Sequence, residues 1–298
     1  MLTLVSATET GAASGDNFFS AIARMKQNFG PLVSNVFSNA HELKKLIETR
    51  PCFTFETGVS AFLLHPLHGL FYDCLFYSAN IENLNLDLAK LLACYTETKA
   101  IRASIVVKEP PASALPSLFE GRGFVLQKKL ARLSQTPEQA ERLRKLQLDL
   151  GEEVAVGFAV AEDAEEIYGL LLGEFDPVGD NLPELSGVQE GIEKRQFVVV
   201  RYDNKIASMH HFVVKNSCAY FWYDITRKEY RQRLFLAHIW QFFGEYFKKN
   251  GITIRRNFQW RDCANNRLLN NAIKHQATLD GIYIYNFSFS KQGLSVVT

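Results

Sequence analysis

FWYDITRKEYRQRLFLAHIWQFFGEYFKKNG, residues 221–251, reads as a strand that runs into a basic turn and then into one long helix. The helix shows as an apolar stripe at Leu236, Ile239, Trp240, Phe243, Tyr246 and Phe247, spaced for one face of a 3.6-residue period, with Gly251 as its stop. A strand that feeds a basic loop at a helix N-terminus is a common way to hold a phosphate-bearing ligand, because first-turn amides and the helix dipole both favour an anion. Working outward, FVVVRY (197–202), IASMHHFVVK (206–215) and CAYFWYDI (218–225) are β-rich runs joined by the tight turns DNK and KNS. They predict an antiparallel meander. Downstream, ITIRRNFQW predicts a strand, ANNRLLNNAIKH a short helix and GIYIYNFSF a closing strand. Upstream, EVAVGFAVA (153–161) alternates as a strand, and Asp163 caps a helix with Ile167, Leu170, Leu171 and Phe175 on one face. A loop, DPVGDNLPEL, then leads to a second helix over 184–194.

The N-terminal half repeats this order roughly 150 residues earlier. Its helices are predicted at 16–28 and 40–48, its strands at 52–56, 59–65 and 70–77, and a helix stripe at Leu84, Leu88, Leu91, Leu92 and Tyr95. IRASIVV, the short helix ALPSLFEG and FVLQKKLARL complete the copy. Between the halves, residues 135–152 are polar and helix-favouring, which predicts a helical linker. The expected organisation is an N-terminal domain over 1–134, the linker at 135–152, and a C-terminal domain over 153–298.

With 47% hydrophobic and 22% charged residues, the chain has an ordinary globular composition, able to fill two cores. A net charge of +1 argues against nucleic-acid and membrane-surface partners, which would need a local patch. MLTLVSATET lacks a basic n-region, and no apolar run is long enough to cross a membrane. Five scattered cysteines with no CxxC pair read as reduced thiols in a cytoplasmic protein.

The order strand, two helices, three antiparallel strands, helix, strand, helix, strand resembles the GNAT acyltransferase superfamily. EYRQRLFLA (229–237) sits where that family has a glycine-containing pyrophosphate loop, and SLFEGRGF (117–124) is similar to its Leu-Tyr-x-x-x-Gly-Phe signature. The resemblance implies a mixed α/β fold: two GNAT-like domains, each a mostly antiparallel central sheet flanked by helices. It further implies acetyl-CoA or another acyl-CoA as co-substrate, no metal, and an acceptor that is a small-molecule amine, a peptide N-terminus or a lysine. By the same resemblance Ile225, Arg231, Arg233, Leu234, Phe235, Leu236 and Ala237 fall in the coenzyme A segment, and Asn266 matches the family's asparagine. Two departures stand out. Leu234 and Leu236 occupy the glycine places, and the general-acid tyrosine aligns with Phe119 in one copy and Ile273 in the other.

The candidate catalytic residues are Asp224, Tyr223, His210 and His211. Tyr223 and Asp224 end the strand where this family splays two parallel strands, so Asp224 is placed to take the amine proton, or simply to close a turn. Alternation puts Tyr220, Trp222 and Asp224 on one face and Phe221 and Tyr223 on the other. His210 and His211, adjacent on a strand, point to opposite faces, which argues against a paired metal site and leaves one of them for the cleft. His65 and His68, in HPLH, read as loop residues. Glu174, Asp176 and Asp180 lie in an acidic loop suited either to a cationic amine or to plain solvation. Asn257, Gln259 and Trp260 end the fifth strand as candidate acceptor lining. The expected function is an acyl-CoA-dependent N-acyltransferase centred on the C-terminal domain. An aminoacyl-tRNA-dependent transferase of the same fold and a catalytically silent tandem scaffold are the rivals.

Overall fold

The computed structural model describes residues 3–5, 11–36, 38–110, 113–139 and 153–291. Most of the predicted linker helix, residues 140–152, lies outside them. Two compact units are present: unit 1 takes residues 1–128 with 284–298, and unit 2 takes 129–283. This division differs from the one drawn on composition, because two strands change unit along their length. The strand after the short helix passes into unit 2 at Lys129, and the closing strand passes into unit 1 at Ile284.

In unit 1 the elements are β1 (Thr3–Val5), α1 (Gly11–Phe29), β2 (Val33–Ser34), α2 (Ala40–Thr49), β3 (Cys52–Glu56), β4 (Ser60–Leu67), β5 (Phe71–Ser78), α3 (Ile81–Cys94), β6 (Ala100–Lys108) and α4 (Ala114–Gly121). The strand order is β1-β3-β4-β5-β6, followed by the end of the closing strand, with β2 on β5. β4 runs on to Leu67 through Pro66 because β3 pairs it only as far as Leu64, so the missing proline N–H costs no ladder bond. His65 is therefore a buried strand residue and not part of a loop, whereas His68 occupies the turn with φ +53°. Phe119 of α4, fully buried, stacks on Phe287 from the closing strand, so the tyrosine place of the family signature is core here.

Unit 2 contains the greater part of β7 (Val125–Gln135), then β8 (Val154–Phe158), α5 (Ala164–Glu174), α6 (Leu185–Glu193), β9 (Phe197–Tyr202), β10 (Lys205–Lys215), β11 (Cys218–Thr226), α7 (Phe235–Lys249), β12 (Arg256–Asp262), α8 (Asn266–Lys274) and the first half of β13 (Thr278–Phe289). The order is β13-β7-β12-β11-β10-β9-β8. Each unit is thus a mixed, mostly antiparallel sheet flanked by helices, with one parallel pair at its centre: β5 beside β6, and β11 beside β12. Strand alternation supplies two cores in unit 2. Phe197, Val199, Met209, Tyr223 and Ile225 meet α5 and α6, while Val198, Val200, Ala207, Phe212 and Phe221 meet α7. α7 answers with Phe235, Ile239, Trp240, Phe243 and Phe247, each worth about 1.5–3 kcal/mol when fully buried. Lys248 and Lys249 complement its C-terminal dipole, and Gly251, at φ +64°, closes it.

α7 begins at Phe235 rather than at Arg231. Residues 228–230 form a separate turn, and Leu234 stands at φ +55°, which interrupts any helix begun upstream. The expected alternation also fails at one point. His211 pairs with Tyr223 and Phe212 with Phe221, so Trp222 is the extra residue of a β-bulge. Phe221 consequently faces α7 and Tyr223 faces α5 and α6, on opposite sides of the sheet.

Candidate active site

β11 and β12 pair in parallel from Cys218–Arg256 to Phe221–Gln259, and there the ladder stops. The bulge at Trp222 marks the place where the strands part. Two sets of side chains span the opening. On one face Trp222 stacks on Trp260 at 5.9 Å, Tyr220 stacks on Phe258 at 5.1 Å, and the Arg132 guanidinium lies 4.4 Å over Phe258. On the other face Arg261 donates from Nη2 to Oδ2 of Asp224 at 2.7 Å and to Oε1 of Gln259 at 3.0 Å. Burial alone would raise the Asp224 carboxyl, but Arg261, His210 and a backbone N–H outweigh it and hold the group below its ordinary value. Asp224 is therefore ionised at neutral pH.

His210 is the cross-strand neighbour of Asp224 and shares its face. The ring is 2% exposed, sits edge-on to Phe221, Trp240 and Phe243, and has no hydrogen-bond partner at either nitrogen. Burial, reinforced by Arg261 and opposed by Asp224, pushes it down to about 4. His211 points the other way, stacked between Phe197 at 4.4 Å and Tyr223 at 5.6 Å, and burial followed by His210 takes it to about 3. Both imidazoles are neutral at pH 7 and are weak bases there. The Tyr223 hydroxyl donates to the carbonyls of Asn181 at 2.6 Å and Asp180 at 3.2 Å, fixing the loop after α5. On β12, Asn257 is 1% exposed with both amide atoms unpartnered, and it shares a face with Gln259 and Arg261.

The loop from Thr226 to α7 carries the basic residues, and each of its three arginines is engaged within the unit. Arg227 pairs with Glu166 at 2.7 Å, Arg231 with Glu174 at 3.1 Å, and Arg233 stacks 4.2 Å over Tyr202. Two candidates of different expected roles, Arg231 and Glu174, thus meet each other. The head of α7 has no side-chain cap. Leu234 holds the left-handed backbone that glycine adopts most readily, with its side chain 58% exposed. Ile225 and Phe235 are core, whereas Leu236 and Ala237 are half-buried at the start of the helix. Asn266 is the exposed first residue of α8, and Ile273 lies 44% exposed on the same helix.

Beside the loop, Gly169, Leu170, Gly173, Glu174, Ile225, Arg227, Lys228 and Glu229 line an open depression of about 220 Å³. Gly169 and Gly173 stand one turn apart on α5, and a Cβ on either would meet no atom within 4 Å. Asp176 and Asp180 do not line it. Their carboxylates accept backbone N–H groups of Val178, Gly179 and Asp176 and so build the loop itself.

No protein-family model matches the sequence, and no curated protein matches it. Solved structures do match. A tandem GNAT protein from the clavulanic acid biosynthesis pathway aligns over 97% of this chain and 98% of its own, with a TM-score of 0.62 at 11% identity. This chain has the tandem GNAT fold. A GCN5-related N-acetyltransferase from Sphaerobacter thermophilus aligns over 99% and 98%, at TM-score 0.56 and 12% identity. A probable N-acyltransferase from Enterococcus faecalis V583 aligns over 97% of this chain and 73% of its own, at 0.56 and 10%. At such identities the likeness is one of fold. Within the tandem GNAT fold, sequence reasoning missed Arg261, which bonds Asp224 across the two parting strands. The available signal was a charge inside an apolar strand, FQWRD, which needs a partner when half-buried.

Proposed function

We propose that unit 2 is an acyl-CoA-dependent N-acyltransferase acting on an amine. The observation that carries this reading is the uncapped head of α7, reached from β11 through the basic loop, with Leu234 in the conformation glycine favours. First-turn amides have no intrahelical partner, so those of Phe235 and Leu236 are left for an anion such as the coenzyme A diphosphate. The exposed Leu234 side chain narrows that approach without closing it. Bound there, the co-substrate supplies an activated thioester. The chain's own residues do the rest: the parting of β11 and β12 receives the acyl end, and the depression beside Glu174 and Glu229 receives a cationic amine. Asp224, ionised and reaching solvent beside the parting, relays the proton of the attacking amine to solvent, directly or through a water, while the coenzyme A thiolate leaves and takes a proton from solvent. Its reach to solvent singles Asp224 out and not its basicity, since its carboxyl is held below its ordinary value.

The second reading is a catalytically silent ligand-binding unit, favoured by the Asp224–Arg261 bridge across the opening. An acyl-transfer assay with a panel of amines, together with mass spectrometry of molecules that co-purify, separates the two. Bound coenzyme A with turnover supports the enzyme, and bound coenzyme A without turnover supports the silent unit. Loss of both sinks the proposal.

A further inference from the structure

The Asp–Arg pair of unit 2 has an analogue in unit 1 on the corresponding strands but at a different level: Asp73 and Arg102 face each other within the β5–β6 ladder, whereas Asp224 and Arg261 meet past the end of the β11–β12 ladder. His65 on β4 is the cross-strand partner of Asp73 on β5, as His210 on β10 is of Asp224 on β11. Asp73 binds Arg102 of the parallel neighbour β6 at 2.7 Å, as Asp224 binds Arg261 of β12 at the same distance. The two triads differ in exposure and in what the histidine meets. In unit 1, His65 Nε2 lies 3.5 Å from the second oxygen of Asp73, and Arg102 is 95% covered, at 5% exposed. In unit 2, Asp224 and Arg261 reach solvent and His210 has no partner at all, although it is as deeply buried as His65.

We propose that Arg261 is the group through which unit 2 recognises a carboxylate on its ligand, exchanging Asp224 for it, and that His210 then takes up Asp224 as His65 holds Asp73. A ligand entering between β11 and β12 must displace the bridge, and a planar carboxylate is the partner that replaces Asp224 on a guanidinium with least loss. Neutral His210 carries one N–H donor that nothing receives, so the released Asp224 has an acceptor role waiting beside it. Asn257, its amide also unpartnered and nine-tenths buried or more, lies on the same face two residues before Gln259 and offers a further donor and acceptor to the same ligand. The carboxylate belongs either to the acyl group or to the amine acceptor. The first of these arms rests on the acyltransferase reading.

The test titrates isotopically labelled protein with succinate and with uncharged succinamide, reading the Arg261 Nε–H and the His210 ring nitrogens by NMR. Calorimetry then compares succinyl-CoA with acetyl-CoA, and alanine with alaninamide in saturating coenzyme A. Succinate, and not succinamide, is expected to move both side-chain signals. One of the two carboxylate ligands is expected to bind about tenfold or more tighter than its neutral counterpart, and the difference is expected to vanish in Arg261→Met. Because that variant leaves Asp224 unpaired, the neutral double variant Asp224→Asn with Arg261→Met provides the same test in a chain without a stranded charge. Equal binding by wild type and both variants, or His210 signals that stay fixed at saturation, overturns the inference. Succinate-dependent shifts without any coenzyme A binding would retain the inference and remove the transferase reading. Coenzyme A binding with no preference for either carboxylate does the reverse.

Discussion

Units 1 and 2 build the same parallel strand pair and follow its first strand with a helix, yet they finish the job differently. In unit 1 the side chain of Asn80 caps α3, accepting the backbone N–H of Asn83 at 2.8 Å, and the His65–Asp73–Arg102 triad is sealed in the interior. In unit 2 the head of α7 has no side-chain cap, Leu234 is held left-handed, and His210 is left without a partner beside a partly exposed Asp224–Arg261 pair. Buried polar groups are normally satisfied, yet neither unit satisfies all of its own: His65 Nδ1 and Arg102 Nη1 lack partners in unit 1, as both His210 nitrogens and the Asn257 amide do in unit 2. What sets unit 2 apart is that its unmet groups accompany an uncapped helix head and a parting of two strands, the arrangement we propose for a ligand.

The comparison can be broken most severely at the arginines. Arg102→Met strands the carboxylate of Asp73 in the interior and is expected to cost about 3–5 kcal/mol in urea unfolding. Arg261→Met, whose partners are partly solvated, is expected to cost about 1 kcal/mol or less. Similar losses from the two would erase the distinction. The two units also differ in their response to acid. Burial opposes ionisation of Asp73, but Arg102 and His65 hold it well below the usual carboxylate range. Its contribution is full above the ordinary carboxylate value and is lost as pH falls below about 4.

His210 gives the next largest effect. Its folded value, about 4, lies below the ordinary 6.5, so folding binds fewer protons than the open chain does. Stability is therefore complete above pH 6.5 and declines toward pH 4, by up to about 1.4 kcal/mol per pH unit. His210→Leu removes its share of the slope, leaving the share of His211, and is expected to leave neutral-pH stability equal or higher, because two unmet nitrogens go with it. Chemical unfolding at pH 7 and pH 5 checks it, and an unchanged slope would count against a neutral buried imidazole.

The architecture was legible because it is written in local patterns: alternation in 197–202 and 218–221, the stripe on α7, and the tight turns between strands. The site was legible only in outline. The bulge at Trp222 falls in an unbroken aromatic run with no glycine or proline to mark it. Asp224 and Arg261 lie 37 residues apart, and Arg231 and Glu174 lie 57 apart, so no spacing rule couples them. HPLH looked like a turn because proline usually ends a strand, whereas here β4 has lost its β3 neighbour by that point. Element order puts Leu234 at the glycine position of the resemblance, but its left-handed backbone could be seen only in the fold.

A smaller effect follows from that backbone. Leu234→Gly removes a left-handed strain of about 1–2 kcal/mol but adds chain entropy of about 0.5–1 kcal/mol. A net gain of about 1 kcal/mol or less in thermal unfolding is expected, together with tighter coenzyme A binding as the backbone becomes approachable.

The most direct test of the difference between the units is calorimetric titration of acetyl-CoA into the wild-type chain, Leu234→Asp and Asn80→Ala. The wild type is predicted to bind at one site per chain. Leu234→Asp, which brings a carboxylate to the head of α7, is predicted to weaken binding several-fold, and Asn80→Ala, which uncaps α3, to leave it unchanged. Absence of binding by the wild type, or binding that survives Leu234→Asp and fails in Asn80→Ala, would contradict the account.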